Sequence, residues 1–206
     1  LAQTFARAGV EVTLVFRSRL LPEAEPEIGA ALATYLADEG IKIVSGITNE
    51  SARKTDDGGV ALAIARDGRP EILTAERILV ATGRRSNTEA LGLAETGIDL
   101  TPAGAIIVDD RMRTSKAGVY AAGDVTGKDQ FVYMAAYGAK LAAKNALNGN
   151  SLSYDNTAMP AVVFTDPQVA SVGMTEAQAR AAGHSVRTSV LSLDNVPRAL
   201  AARDTR

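Results

Sequence analysis

The sequence predicts an α/β fold, and two successive local patterns support this class. A helix-like segment closed by Gly9 is followed by residues 10–16, which alternate in polarity and are rich in β-branched side chains, as in a strand. A second helical pattern over residues 26–39 leads into the apolar run 41–44. Strand, helix and strand in this order form a βαβ unit, the building block of a parallel, Rossmann-like sheet.

The rest of the chain predicts further elements of both kinds. Residues 52–73 contain short runs separated by turn-forming clusters, which indicates a small antiparallel meander. A short strand is expected at residues 106–108, and a helix that begins near Gln130 and runs toward Gly149. After residue 151 two apolar strands flank an Asp-Pro pair, and Thr175 with Gln178 predicts a capping box at the start of another helix. This final part is typical of an α+β domain.

Composition excludes several classes of function. The 206 residues carry a formal net charge of −2, so we expect no nucleic-acid partner. No apolar run reaches the roughly 18–20 residues that span a bilayer and no signal sequence opens the chain, so we expect a cytoplasmic protein with no membrane partner. The absence of cysteine removes thiol catalysis from these residues. The only histidine, His184, has no metal-ligating or catalytic neighbours in the sequence, so we expect it at the surface.

Two apolar runs, residues 77–87 and 114–124, end in turns of small residues. In the second run we expect residues 119–122 to form a strand buried on both faces. Gly123 then lets a ligand approach the backbone, and Asp124 offers two acceptor oxygens suited to sugar hydroxyls. Two such turns in one chain suggest one nucleotide site each, although an Asp that only caps the following helix is the simpler alternative.

Two arginines follow the strand predicted at residues 10–16. In βαβ nucleotide sites an acidic residue at this strand end binds the ribose 2′-hydroxyl, whereas arginine pairs with a 2′-phosphate. Arg17 and Arg19 therefore favour NADPH over NADH as the ligand. The alternative is a pair of solvated surface arginines.

The two turns carry a resemblance to a known family. The Ala-Thr-Gly-Arg turn at residues 81–84 and the Gly-Asp pair at 123–124 resemble those of the flavoprotein disulfide reductases, and the resemblance runs over essentially the whole chain. It implies FAD and NADPH as cofactors, with Asp124 holding the ribityl chain of FAD. It also implies that the helix start at Val132 points its backbone at the flavin, and that Gly83 allows close approach of the nicotinamide nucleotide.

The resemblance implies three domain segments and an incomplete enzyme. Residues 1–83 would be part of the NAD(P)H-binding domain, residues 84–150 the C-terminal segment of the FAD domain, and residues 151–206 the start of a dimerisation domain that forms a homodimer. Because the chain opens at Leu1 without Met, we expect it to be an internal fragment. The redox cysteine pair would precede Leu1 and the C-terminal catalytic segment would follow Arg206, so the fragment itself holds no catalytic residue and no metal ligand.

Two segments favour one branch of the family. Residues 157–169 and 194–201 are similar to the mercury(II)-reducing members. This implies electron flow from NADPH through FAD and a cysteine pair to thiolate-bound Hg(II), which leaves as Hg(0). Dihydrolipoamide dehydrogenase, with a preference for NADH, is the alternative within the family. The ferredoxin-reductase type shares both turns, but residues 159–173 argue against it. An alternative of another class is a non-catalytic fragment that cannot hold FAD by itself.

Overall fold

The computed structural model describes residues 1–206, apart from the side chains of Asn49 and Ala94. The chain forms two compact units: a first unit of Leu1–Leu79 with Pro160–Arg206, and a second unit of Val80–Met159. The described α-helices are α1 (Ala2–Arg7), α2 (Pro26–Asp38), α3 (Leu93–Thr96), α4 (Val132–Asn148), α5 (Glu176–Ala181) and α6 (Pro197–Ala202). The strands are β1 (Thr13–Val15), β2 (Lys42–Val44), β3 (Ile47–Lys54), β4 (Val60–Arg66), β5 (Arg69–Ala75), β6 (Pro160–Val163) and β7 (Val169–Val172).

The predicted βαβ unit is present at the start of the first unit. Strands β1 and β2 pair in parallel, with Leu14 opposite Ile43, and α2 connects them. Helix α2 begins at Pro26, whose fixed φ suits the first helical position, and Gly40 follows its C-cap with a φ of +85°. Its buried face packs Leu32 against Ile41. The α/β class is confirmed, although both strands are shorter than predicted because their pairing covers three residues.

The predicted meander follows as an antiparallel sheet in the order β3-β4-β5. Ile64, at the centre of β4, is fully buried and packs with Val44 and Ile47. A second small core therefore joins the meander to the end of the βαβ unit.

Side chains of α1 hold two distant parts of the first unit together. Arg7 donates two hydrogen bonds to the Glu39 carboxylate, at 2.8 and 2.6 Å, and its guanidinium also lies 2.8 Å from an Asp166 carboxylate oxygen. The buried Gln3 amide donates to Glu39 and exchanges hydrogen bonds with the Asp166 backbone. The hydrogen bonds from Arg7 hold the pKa of Glu39 below its ordinary value. This network joins α1, the end of α2 and the β6–β7 turn.

The C-terminal part contains the predicted hairpin and helix. Strands β6 and β7 are antiparallel and flank Asp166 and Pro167. The Gln178 backbone N–H donates to the Thr175 hydroxyl at 3.3 Å, and the Gln178 side chain accepts from the Thr175 N–H at 2.9 Å. The capping box is thus confirmed, and His184 is exposed as expected.

The second unit is built around α4. Leu141 and Ala142 of this helix pack with the buried Ile106, Val108 and Met112 of the preceding irregular segment. Gly149 follows the helix with a φ of +84°, as the sequence predicts for a C-terminal stop.

Two predicted strands do not form ladders, and here the predictions were wrong. Residues 106–108 make a single bridge, from Ile106 to Leu100, and residues 119–122 make one between Tyr120 and Arg113. Residues 119–122 are half-buried and not covered on both faces, while residues 77–81 are irregular and exposed. The reason is that a strand requires a continuous hydrogen-bonded neighbour, and these runs lack one among the described elements.

Asn145 fixes the far end of α4. It is 1% exposed, and its amide group donates to the carbonyls of Arg111 and Leu152 at 3.0 and 2.8 Å. Its carbonyl oxygen accepts from the Leu152 N–H at 2.9 Å. One buried side chain therefore satisfies three backbone groups of the segments beside the helix.

We predict that Asn145→Ala lowers the free energy of unfolding of the second unit by about 3 kcal/mol, because three buried backbone groups lose their partner. Thermal unfolding of the protein measures the effect. Asn148→Ala is the matched control, since Asn148 is exposed on the last turn of the same helix. Equal midpoints for the two variants would contradict the role given to Asn145.

Candidate functional site

The turn at Gly123 lies directly against α4. Gly123 has a φ of +80° and a ψ of −159°, a backbone conformation that residues other than glycine rarely adopt. A Cβ built at this position would lie 3.0 Å from the Cβ of Ala135 in the first turns of α4. Glycine is therefore required here both by the backbone conformation and by the close approach of the helix.

Asp124 follows this turn and begins a 3₁₀ helix, Asp124–Thr126. About half of its side-chain surface is exposed (53%). Arg84 Nη1 lies 3.4 Å from Asp124 Oδ2 and donates to the Gln130 carbonyl at 2.9 Å, and the Ser86 hydroxyl donates to the Asp124 carbonyl at 3.0 Å. The residues just after Gly83 thus contact the Asp124 turn. The second unit brings together the two turns singled out in the sequence.

Gly83 itself lies in an open part of the second unit. Its φ is +142°, and a Cβ built there would meet no atom within 4 Å. The backbone at Gly83 is therefore accessible to a ligand, and the position favours glycine for its conformation.

The start of α4 offers backbone donors next to this turn. Phe131 precedes the helix in an extended conformation and provides no side-chain cap. Val132 is 84% exposed, and its N–H has no hydrogen-bond partner in the part of the chain that the structure describes. Uncapped N–H groups at the positive end of a 17-residue helix can bind an anion or a polar ligand atom.

The loop between Asp124 and α4 is held by residues that the sequence did not point to. Asp129 has a left-handed φ of +35°, and its carboxylate accepts from the Tyr154 hydroxyl at 3.0 Å and from the Asn156 amide at 2.9 Å. No local pattern could have revealed these contacts, because the partners lie 25 and 27 residues away in the sequence.

The structure places the two predicted arginines differently within one loop of the first unit. Arg17 is exposed and forms no ion pair with any residue that the structure describes. Arg19 donates to the Pro22 carbonyl, and its Nη1 is buried with no hydrogen-bond partner among the described side chains. Glu25, in the same loop, accepts from the Glu176 N–H at 2.7 Å. Two positive charges thus follow β1: Arg17 is exposed to solvent, and Arg19 hydrogen-bonds to the backbone of its own loop.

The described parts of the chain do not suggest a metal centre or a membrane span. With Asn49 and Ala94 left aside, no group of three or more histidine or acidic side chains could hold a metal ion. No helix among the described residues is long and apolar enough to cross a bilayer.

Comparison with known families agrees with this arrangement of turns and helix. Residues 1–143 match the family described as "Pyridine nucleotide-disulphide oxidoreductase", and residues 159–206 match the dimerisation domain of the same family. The chain belongs to the pyridine nucleotide-disulphide oxidoreductase family. Membership confirms the resemblance seen in the two turns, and it implies FAD and a pyridine nucleotide as cofactors.

Seven curated relatives are mercuric reductases, 40–46% identical to the chain over its whole length. The enzyme of Streptomyces lividans is 45% identical over 205 residues, and that of Acidithiobacillus ferrooxidans is 46% identical over 206 residues. The chain spans 43% and 37% of these two proteins, so it corresponds to less than half of each.

Solved structures of related enzymes have the same fold. The HOCl-induced flavoprotein disulfide reductase RclA from Escherichia coli superposes with a TM-score of 0.84 at 31% identity, over all of this chain and 46% of that one. LpdA from Mycobacterium tuberculosis superposes with a TM-score of 0.86 at 28% identity, over 99% of this chain and 44% of that one. The predicted α/β fold of the flavoprotein disulfide reductases is thereby confirmed.

Proposed function

We propose that this chain is part of a flavoenzyme that passes electrons from NADPH through FAD and a cysteine pair to thiolate-bound Hg(II), which is released as Hg(0). The observation that carries the proposal is the identity with mercuric reductases along the entire chain. The cysteine pair lies outside this sequence, which has no cysteine. The residues described above therefore bind and orient cofactors and do not contact the metal.

The second unit offers a fitting site for FAD. The Asp124 carboxylate is accessible and would accept hydrogen bonds from the ribityl hydroxyls. The unpaired N–H of Val132 would donate to the flavin ring, and the Gly123 turn leaves no side chain between the backbone and the ligand. When bound, FAD would supply the hydride and electron transfer that no side chain of this segment can perform.

The first unit offers a site for the nucleotide end of NADPH. Arg17 is free to pair with a 2′-phosphate, and the partnerless Nη1 of Arg19 would gain a hydrogen-bond acceptor if its guanidinium turned toward the same phosphate. Separately, in the second unit, the open backbone at Gly83 would allow close approach of a nicotinamide nucleotide. Positive charge at this strand end is the reason for preferring NADPH to NADH.

A second candidate is a related disulfide reductase, including dihydrolipoamide dehydrogenase. The superposition with RclA, named as a disulfide reductase, favours it. The cofactor sites proposed above would be the same in either enzyme. We also propose that residues 159–206 contribute to a homodimer, because they match the dimerisation domain of the family.

A steady-state assay of the full-length enzyme separates the two candidates. We expect Hg(II), supplied with excess thiol, to stimulate NADPH oxidation, and lipoamide with NADH to give little turnover. The control is the same assay without Hg(II), which measures oxidation by oxygen. Lipoamide-dependent turnover of NADH without a response to Hg(II) would assign the protein to the second candidate.

Asp124→Ala in the full-length enzyme should weaken FAD binding. A hydrogen bond to a charged group contributes about 1.5–3 kcal/mol, so the dissociation constant of FAD is expected to rise about 10- to 150-fold. Flavin absorbance of the purified protein and titration of the apoenzyme with FAD measure this change. Asp99→Ala is the matched control, because Asp99 is an exposed aspartate of the same unit. Unchanged FAD affinity in the Asp124 variant would refute the assignment.

Arg17→Ser should change the preference between the two nicotinamide cofactors. Loss of the charge that faces the 2′-phosphate is expected to raise KM for NADPH about tenfold or more, while KM for NADH stays within about twofold. Arg53→Ser, on the exposed side of β3, provides the control. If KM rose equally for both cofactors, Arg17 would not be the residue that recognises the phosphate.

A further inference from the structure

Tyr154 lies in the segment that follows α4 and reaches back to the loop before that helix. Its hydroxyl donates to Asp129 Oδ2 at 3.0 Å, and the Asn156 amide donates to the same oxygen at 2.9 Å. Its ring lies beside that of Tyr137 in α4, with centroids 5.1 Å apart and a tilt of 32°. The Tyr137 hydroxyl in turn accepts from the Asp155 N–H at 3.1 Å. The segment after the helix is therefore attached both to the helix and to the loop that precedes it.

The same ring also contacts the body of α4. A Cβ built at Gly138 would lie 3.5 Å from Cε2 of Tyr154 and 3.3 Å from the Cβ of Ala122, which precedes the Gly123 turn. Tyr154 thus packs beside the contact between Gly138 of α4 and Ala122, which precedes the Gly123 turn. A movement of this ring would affect both the helix and the turn.

The hydroxyl of Tyr154 is well suited to hold Asp129. Burial, together with the hydrogen bond to the Asp129 carboxylate, raises the pKa of Tyr154 well above its ordinary value. The hydroxyl therefore stays protonated and able to donate throughout the neutral and mildly alkaline range. Hydrogen bonds between a neutral donor and a carboxylate are stronger than those between neutral groups.

Asp129 needs such support because of its backbone conformation. A left-handed φ is uncommon for residues other than glycine, although aspartate tolerates it better than most, and the contacts of the Asp129 side chain stabilise it here. The Phe131 N–H donates to the Asp129 carbonyl at 2.6 Å, so the geometry at Asp129 is passed on to the residue before α4. Phe131 provides no side-chain cap of its own. The direction in which α4 begins therefore depends on how Asp129 is held.

We propose that Tyr154 is a positioning residue of the flavin site: by holding Asp129 it orients the first turn of α4 and hence the Val132 N–H relative to Asp124. This inference rests on the FAD site proposed above. Tyr154 itself does not touch the cofactor, since it acts through Asp129 and the body of the helix.

Tyr154→Phe in the full-length holoenzyme tests this role, because the substitution removes only the hydroxyl and keeps the ring that packs on α4. We expect the dissociation constant of FAD to rise about 3- to 10-fold, with a shifted flavin absorption band and a changed flavin midpoint potential. The shifts follow from reorientation of the donors at the start of α4. A loss of stability by itself would leave the spectrum and potential of the bound flavin unchanged. Tyr35→Phe in α2 is the matched control, with the same chemical change in the other unit.

Asp129→Gly provides a second, independent variant. Glycine adopts the left-handed backbone conformation without strain, but it has no carboxylate to accept from the Tyr154 hydroxyl. Any effect of this variant on FAD binding therefore comes from lost side-chain hydrogen bonds and not from backbone strain. We expect it to reproduce the effects of Tyr154→Phe on FAD affinity and on the flavin spectrum. The double variant should be no worse than Asp129→Gly alone, because Asp129→Gly already removes the acceptor of the Tyr154 hydroxyl, together with that of the Asn156 amide.

The outcomes separate this inference from the assignment of the flavin site. If Asp124→Ala weakens FAD binding while Tyr154→Phe leaves the affinity, spectrum and potential unchanged, the positioning role is wrong and the site stands. If neither variant changes FAD binding, the site itself is wrong and the inference falls with it. Additive effects of Tyr154→Phe and Asp129→Gly would also overturn the inference.

Discussion

The close approach of α4 to the chain at Ala122 and Gly123 is the constraint on which the second unit depends. At Gly123 and at Gly138 the helix and the chain come so near that a Cβ would meet another side chain at 3.0 and 3.3 Å. Two glycines, one on each partner, make this contact possible. At each glycine the backbone packs directly against an alanine Cβ, Ala135 at Gly123 and Ala122 at Gly138, and this close packing places Asp124 beside the start of α4. This packing sets the relative position of the two parts of the proposed flavin site.

The remaining contacts of α4 prevent the helix from sliding along this surface. Asn145 fixes its last turns through three hydrogen bonds to backbone groups, and Tyr154 with Asp129 holds the loop before its first turn. Buried polar groups of this kind add specificity, because any other position of the helix would leave them unpaired. Apolar packing of Leu141 and Ala142 stabilises the helix against its neighbours, whereas these hydrogen bonds determine its position along them.

Local signals in the sequence predicted helices α1, α2, α4 and α5 but not the short helices α3 and α6, and two of the predicted strands did not form. Gly9, Gly40 and Gly149 follow helices with positive φ, and the capping box at Thr175 formed as expected, since these signals act within one turn of the chain. Residues 77–81, 106–108 and 119–122 have apolar, strand-like composition but do not form ladders. A strand depends on a neighbour that can lie anywhere in the chain, so composition by itself could not decide these cases.

The residues of the candidate site likewise fall into those predicted from local sequence patterns and those brought together only by the fold. Asp124 and the start of α4 were found from sequence because they lie at the end of an apolar run and at the beginning of a helical pattern. The support from Tyr154 and Asn156 was missed, since it joins residues more than 20 positions apart. The contact of Arg84 with Asp124 likewise depends on the fold that brings residues 40 positions apart together.

The two proposed cofactor sites use different kinds of groups to bind their ligands. Their ligand specificity is therefore expected to respond differently to substitution. The flavin site uses backbone donors and a glycine turn fixed by packing, so altering it also disturbs the core around α4. The proposed nucleotide site relies on two arginine side chains in one loop, of which Arg17 is exposed. Exposed side chains can be replaced with little effect on stability. The choice between NADPH and NADH could therefore change by substitution at one or two positions, whereas changing the glycine turn or the start of α4 would also disturb the packing that supports them.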